Sequence, residues 1–227
     1  NLGTTSIGWI VSLLGFKMKI AVIAMFILLA GAALRVLGSG RAAKIGTILA
    51  GFALIFIGVD LIQNGMGSSA GIFSLTGFAT DSLTSRLALC GIGILMTVIT
   101  QSSGAALTIT LSALALGQID LLQGALLVIG QNIGTTLTAA LAGIGAAPAA
   151  RKTALSHIMF NVITGIIVFL FIDFYAAGLT AFFARIHRTD ALLELSLFHT
   201  AFNFTGIVLL LPAARPFSRL LDRMMPP

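Results

Sequence analysis

Two uncharged polar phrases interrupt apolar sequence, Gln101-Ser102-Ser103-Gly104 and Gln131-Asn132-Ile133-Gly134-Thr135-Thr136. Their side chains are amides and hydroxyls, which donate to an oxyanion or turn lone pairs toward a cation. Each phrase ends where a helical arm is expected to begin, near Ala105 and near Leu137. A helix N-terminus offers unpaired N–H groups and a positive dipole to an anion, and unwound carbonyls suit a hard cation such as Na+. Gly104 and Gly134 let the backbone unwind and approach a ligand closely. The second phrase is written twice. Asn1, Gly3, Thr4 and Thr5 repeat Asn132, Gly134, Thr135 and Thr136 at a constant offset of 131 (132 − 1), and apolar sequence follows both copies. No Met precedes Asn1, so the chain reads as a fragment that begins inside an internal repeat.

Small and hydroxylic residues also gather wherever membrane helices pack tightly, and for an isolated Ser-Ser pair that is the better explanation. A phrase repeated at fixed offset favours a binding site instead. A second echo supports duplication: SHIMFNVITGIIVF (156–169) against FHTAFNFTGIVLLL (198–211), with His-x-x-Phe-Asn in both. For His157 and His199, hydrogen bonding between helices is the simpler role, and a proton relay or ligand contact the functional one. Asp60 and Asp173 fall at span ends, where carboxylates reach headgroups, and no ion site is assigned to them. Catalysis is not expected. Ser102 or Ser103 would need a base within hydrogen-bond reach, and the sequence carries no nucleotide loop, metal cluster or paired acids.

The elements that position these phrases follow from composition. Hydrophobic residues make up 58% of the 227 and charged residues 9%, with a mean hydropathy of +1.08. A soluble domain carries about 25% charged residues, so this chain is expected to be an all-α integral membrane protein whose surroundings are the lipid bilayer. The net charge of +6 lies in short gaps between apolar runs, which points to membrane topology and not to nucleic acid. The single cysteine, Cys90, excludes an intrachain disulfide.

A hydrocarbon core of about 30 Å needs roughly 20 apolar residues in a helix, and 20–38, 45–63, 154–173 and 191–213 meet that. Residues 87–100 and 105–117 flank the first phrase as arms too short to cross alone, so 87–117 forms either one long span, which would make the repeats parallel, or a re-entrant helical hairpin; the short arms and polar tip favour the hairpin. Residues 121–146 are long enough to cross but are interrupted at 130–136, as in a discontinuous transmembrane helix. Backbone broken at that depth is tolerated only where protein or a water-filled cavity surrounds it. The chain thus divides into the end of a first repeat (1–66), a connecting loop (67–86), a second repeat (87–213) and a cytoplasmic tail (214–227). With the hairpin, the two Asn-x-Gly-Thr-Thr helices run in opposite directions, the inverted repeat of many secondary transporters. Arg35, Arg41, Lys44, Arg151, Lys152, Arg215, Arg219 and Arg223 then share one side, against Lys17, Lys19, Arg86, Arg185 and Arg188 on the other. The positive-inside rule makes the richer side cytoplasmic.

The stretch TQSSGAALTITLSALALGQIDLLQGALLVIGQNIGTTLTA (100–139) resembles the second repeat of the sodium-dependent phosphate cotransporters, the type II Na/Pi family. Members carry Gln-Ser-Ser-Ser followed about thirty residues on by Gly-x-Asn-Ile-Gly-Thr-Thr. Residues 150–169 and 197–212 are similar to that family too, and the opening NLGTTSIGWIVSLLGFKMKI resembles the end of its first repeat. The resemblance implies inverted repeats, each with a re-entrant hairpin and a broken helix. It also implies sodium-coupled symport of inorganic phosphate across the bacterial cytoplasmic membrane. Gln101, Ser102 and Ser103 match the hairpin phrase, Asn132, Gly134, Thr135 and Thr136 the broken-helix phrase, and Asn1, Gly3, Thr4 and Thr5 its first-repeat partner. These residues are the expected substrate site. Ser102, Ser103, Thr135 and Thr136 are the expected Na+ ligands, with Na+ as coupling ion and no other cofactor. Two departures stand out: Gly104 replaces a third Ser, and the first-repeat hairpin is absent, so the fragment alone is not expected to transport. Many bacterial members of that family also carry a regulatory cytoplasmic helical domain after the last span, and residues 224–227 leave open whether one follows Pro227 here. Other readings are a sodium-coupled carrier of another oxyanion or dicarboxylate, and a non-transporting membrane scaffold or sensor.

Overall fold

The computed structural model describes residues 2–15, 20–68, 75 and 77–225; Asn1, Lys17, Lys19 and residues 69–74 of the expected connecting loop lie outside them. Every regular element among the described residues is helical. The chain forms two compact units, Trp9–Ser74 and Asn1–Gly8 with Leu75–Pro227, and the boundary falls inside the first helix, α1 (Leu2–Ile10).

The smaller unit opens with a π-helical turn at Val11–Gly15. It is otherwise a helical hairpin of α2 (Ile20–Leu37) and α3 (Gly40–Ser68). The turn is made where sequence allows it: Gly38 N–H bonds Leu34 O at 3.1 Å, and Gly40 has φ +54°. Glycines also let the two helices touch. A Cβ on Gly46 would lie 2.5 Å from the Gly31 carbonyl oxygen, so the backbones meet directly. Ala24, Ala53 and Phe56 form the packed seam, while Phe26, Leu29, Val36 and Ile48 remain exposed. That is the pattern of helices whose outer solvent is hydrocarbon.

The larger unit holds eight more helices. α4 (Leu83–Thr100) and α5 (Ser103–Ala115) are the expected arms. α6 (Leu121–Gly134) and α7 (Thr136–Gly143) form the interrupted helix. Next come α8 (Pro148–Leu170), α9 (Ile172–Arg185), α10 (Ala191–Leu210) and α11 (Ala214–Met224). Three features differ from expectation. α4 starts at Leu83, after an extended Ser82, because Leu83–Arg86 adds a turn that hydropathy alone does not reveal. At 18 residues it is long and apolar enough to cross, whereas α5, at 13 residues, spans only about 20 Å. The interruption of the broken helix is a single residue. Thr135 keeps helical dihedrals (φ −60°, ψ −23°), and its N–H still reaches Gln131 O at 3.1 Å, so little backbone unwinds there. Finally, α9 and α11 fold stretches read from sequence as connection and tail.

Local signals set the turn between α5 and α6. Gly117 takes φ +67°, which a side chain would resist, and Gln118 N–H returns to Ala113 O at 2.9 Å. Asp120 then caps α6. Its Oδ1 accepts from Gln123 N–H at 2.7 Å and Gln123 Oε1 accepts from Asp120 N–H at 2.9 Å, a reciprocal capping box.

Two contacts tie the entry of the α4–α5 pair to later helices. Gln123 Nε2, in the first turn of α6, donates to Leu75 O and Phe78 O, both at 3.0 Å. Arg86, in the first turn of α4, meets Asp173 through Nη1 at 2.9 Å and Nη2 at 2.8 Å. Hydrogen bonding to Arg86 holds the Asp173 carboxyl below its ordinary value.

Candidate functional site: the meeting of α4, α5, α6 and α1

The first polar phrase forms the corner between α4 and α5. Gln101 ends α4 in the left-handed region (φ 51°, ψ 22°) and Ser102 is extended (φ −149°, ψ 112°). A side-chain-bearing residue in that region is disfavoured by about 1–2 kcal/mol, and such outliers collect at functional corners. Ser102 caps α5, its Oγ accepting from Ala105 N–H at 3.2 Å. Gln101 and Ser102 are exposed, Ser103 is half-buried, and Gly104 is buried.

The second phrase lies inside the unit. Gln131 and Asn132 are 3% exposed. Gln131 Nε2 donates to Thr110 Oγ1 at 2.7 Å and to Ala106 O at 3.2 Å, fastening α6 to the first turns of α5. α6 also lies flat against α4. A Cβ on Gly130 would sit 1.9 Å from Cys90 O, and one on Gly93 would sit 2.1 Å from Leu127 O. Gly134, four residues past Gly130, would meet Ile94 O at 2.8 Å and Thr97 Cβ at 3.0 Å. The glycines of the phrase are therefore required by packing, as the simpler explanation of small residues holds.

The hydroxyls follow a different rule. Thr135 and Thr136 donate to the carbonyls of Asn132 (2.6 Å) and Ile133 (2.7 Å), three residues back. Thr5 does the same to Leu2 O at 2.8 Å. Thr5 and Leu2 are the repeat equivalents of Thr136 and Ile133, so the two copies share a hydrogen bond as well as a spelling. Asn1 lies outside the described residues; Thr4 is half-buried and Thr5 buried. α1 brings its copy to α5: a Cβ on Gly8 would meet Leu107 Cδ2 at 3.0 Å, and one on Gly104 would meet Ile7 Cδ1 at 2.7 Å. The space that a third Ser would need at position 104 is thus occupied by Ile7.

One candidate site residue escaped sequence reasoning. Thr97, in α4, is 2% exposed, and its Oγ1 has no hydrogen-bond partner; neither has Asn132 Nδ2. The other buried threonines among the described residues are Thr5, Thr108, Thr110, Thr136 and Thr164. Each donates to a backbone carbonyl. A threonine in an apolar run carries no sequence signal that its hydroxyl will be left over. Glu194 was missed as well. It is buried in the first turn of α10 and accepts from Thr180 Oγ1 at 3.2 Å. The repeated histidine motif shares a hydrogen bond within each helix. Asn161 Nδ2 and Asn203 Nδ2 each bond the carbonyl of their own His157 or His199 at 2.9 Å, and His199 Nδ1 and Asn203 Oδ1 are unpartnered. The two copies pack together, since a Cβ on Gly206 would lie 2.6 Å from Thr164 Oγ1.

A left-handed corner between α4 and α5, a hydroxyl back-bond shared by the two repeat copies and orphaned buried polar atoms mark the candidate site of this all-helical membrane protein. The family model of the Na+/Pi-cotransporter matches residues 1–64 and 69–210, and the chain belongs to that family. It is a multi-pass integral membrane protein, with five helices among the described residues long and apolar enough to cross. It is 30% identical over 231 residues to the "Uncharacterized protein YqeW" of Bacillus subtilis, a match covering 100% of this chain and 70% of that protein. It is also 30% identical over 186 residues to the "Putative inorganic phosphate export protein YjbB" of Escherichia coli, covering 79% of this chain. The chain spans only 32% of the length of YjbB. No solved structure gives a significant match.

Proposed function

We propose that this chain supplies one half, and part of the other, of a sodium-coupled carrier of inorganic phosphate. The observation that carries the reading is the orphaned pair Thr97 Oγ1 and Asn132 Nδ2, buried beside a phrase the chain uses twice. Leaving a buried donor unpaired costs about 1–3 kcal/mol, and a polar ligand arriving there removes that cost. Bond directions suggest which group each residue takes. Thr135 and Thr136 spend their protons on carbonyls and keep lone pairs, as a Na+ ligand must. Asn132 Nδ2 can only donate, and Ser102 Oγ accepts from Ala105 N–H and retains its proton. Both suit a phosphate oxygen. Gln101, Ser103, Gly134, Asn1, Thr4 and Thr5 complete the proposed shell. Na+ bound first lowers the cost of bringing an anion to the midplane.

The inverted repeat belongs to the same proposal. If 87–117 crossed the membrane once, Arg86 and Asp173 would face opposite sides, as would Leu75 and Gln123. The bonds between them support a chain that returns to the side it left. The word "export" in the name of YjbB favours net efflux as a second reading of direction. Radiolabelled phosphate flux by the full-length gene product, in right-side-out and inverted vesicles with and without a Na+ gradient, tests both. Flux indifferent to Na+ overturns the coupling, and the orientation that accumulates phosphate gives the direction.

A further inference from the structure

A groove of about 530 Å³ runs between α7 and α8 at the end of the larger unit where α11 lies. Its walls are apolar, including Ala140, Ile144, Leu155 and Ile158, and a single charged residue, Arg151, lines it. The neighbouring Lys152 is neutralised by Asp222 of α11 at 2.9 Å. Arg151, Arg215, Arg219 and Arg223 have no ion pair among the described residues. Within α11 the three arginines recur every fourth residue and form one stripe. Phe217, Leu220, Leu221 and Met224 recur at the i, i+3, i+4, i+7 spacing of an apolar face. Only Leu221 of that face is buried, and Leu220 and Met224 are 45% and 54% exposed. A short helix with a basic stripe and a largely exposed apolar face is suited to the plane of a membrane surface.

We propose that α11 and the α7–α8 groove form a binding site for an anionic phospholipid. The headgroup phosphate rests on Arg151 and the arginine stripe, and an acyl chain fills the groove. Charge complementarity selects this occupant: Arg151 lines an apolar cleft that Met225 reaches from the end of α11, the helix that carries three more unneutralised arginines, and the matching ligand carries negative charge at one end and hydrocarbon at the other. A soluble anion leaves the groove empty, and a zwitterionic lipid cancels its own phosphate. The Lys152–Asp222 pair links α11 to the start of α8, one residue from Arg151. The site does not depend on the transport reading.

The test is native mass spectrometry of the purified full-length protein, counting phosphatidylglycerol and phosphatidylcholine retained from mixed micelles. Wild type should retain phosphatidylglycerol preferentially. A basic residue at an anionic surface contributes roughly fivefold in affinity, so R151Q should lose about fivefold and R219Q/R223Q about 25-fold. Ala154→Leu, which narrows the groove, should weaken retention with every charge in place. R185Q/R188Q, remote in sequence from this end, should retain lipid normally and controls for bulk charge. Equal retention of the two lipids overturns the proposal, as does retention unmoved by R151Q and R219Q/R223Q in protein that elutes as wild type. Displacement of the lipid by millimolar inorganic phosphate also overturns it, in favour of a soluble-anion site.

Discussion

Replacing Thr97 by Val separates a ligand hydroxyl from a packing hydroxyl, because the two roles predict opposite signs. Thr97 Oγ1 is buried without a partner, so exchanging it for a methyl should raise stability, by about 1 kcal/mol of a penalty of roughly 1–3 kcal/mol. If the hydroxyl meets Na+ or phosphate, the same exchange should weaken binding by about 1–3 kcal/mol, roughly five- to 150-fold. Thr110→Val is the contrasting case. Thr110 donates to Ala106 O at 3.2 Å and accepts from Gln131 Nε2 at 2.7 Å, so its loss should lower stability by about 1–2 kcal/mol. The assay is thermal unfolding of the full-length protein in detergent, with Na+ and phosphate titrated, since a ligand of the native state raises the melting temperature. T97V should melt higher without ligand and shift less with it; T110V should melt lower. A T97V protein that melts lower and responds normally to both ligands would refute the argument that an orphaned buried hydroxyl marks the site.

Ser102→Ala removes a phosphate donor and the α5 cap, and Ser103→Ala only a hydroxyl. Both should raise the phosphate or Na+ requirement of flux several-fold at unchanged surface expression, and unchanged kinetics in both would return the first phrase to packing. Gly130→Ala places a methyl 1.9 Å from the Cys90 carbonyl oxygen, a backbone atom that cannot swing aside. It should destabilise by about 1–3 kcal/mol or more, read as lost monodisperse protein on size exclusion. The Arg86–Asp173 pair depresses the Asp173 carboxyl, so its stabilisation is present at neutral pH and disappears as pH falls below about 4, the unperturbed range, through the folded value. Asp173 is largely exposed, which limits the contribution to about 1 kcal/mol or less. Asp173→Asn should remove that part of the acid dependence of melting and leave the neutral-pH profile nearly flat.

The two polar phrases, the repeat and the membrane environment were legible in sequence because each is a property of residue type and spacing. The spans expected at 45–63, 154–173 and 191–213 fall in the crossing-length helices 40–67, 148–170 and 191–210 for the same reason: twenty apolar residues in a row have few other uses. Two helices, α9 and α11, were not found. Phe171, at the junction of α8 and α9, carries no breaker signal, and amphipathic α11 alternates charges that lower its hydropathy. The short reach assigned to the first hairpin arm was wrong by one turn, since Leu83–Arg86 is helical through its contacts and not through its hydrophobicity. Sequence also implied a loosely wound site at 130–136, and packing tightened it to one residue. Gly130 and Gly134 draw α6 so close to α4 that the helix is held together from outside, while Thr135 and Thr136 bond the carbonyls that unwinding would free.

Which hydroxyls are spent and which are left over was decided only by the tertiary structure. Thr97, Thr108 and Thr110 are the same residue type in the same kind of apolar run, and sequence cannot rank them. Thr108 and Thr110 turn back onto their own helix, whereas Thr97 ends beside Gly134 with no partner. Composition and spacing determine that polar groups must be carried into the membrane. The direction in which a buried proton points depends on a neighbouring helix more than thirty residues away.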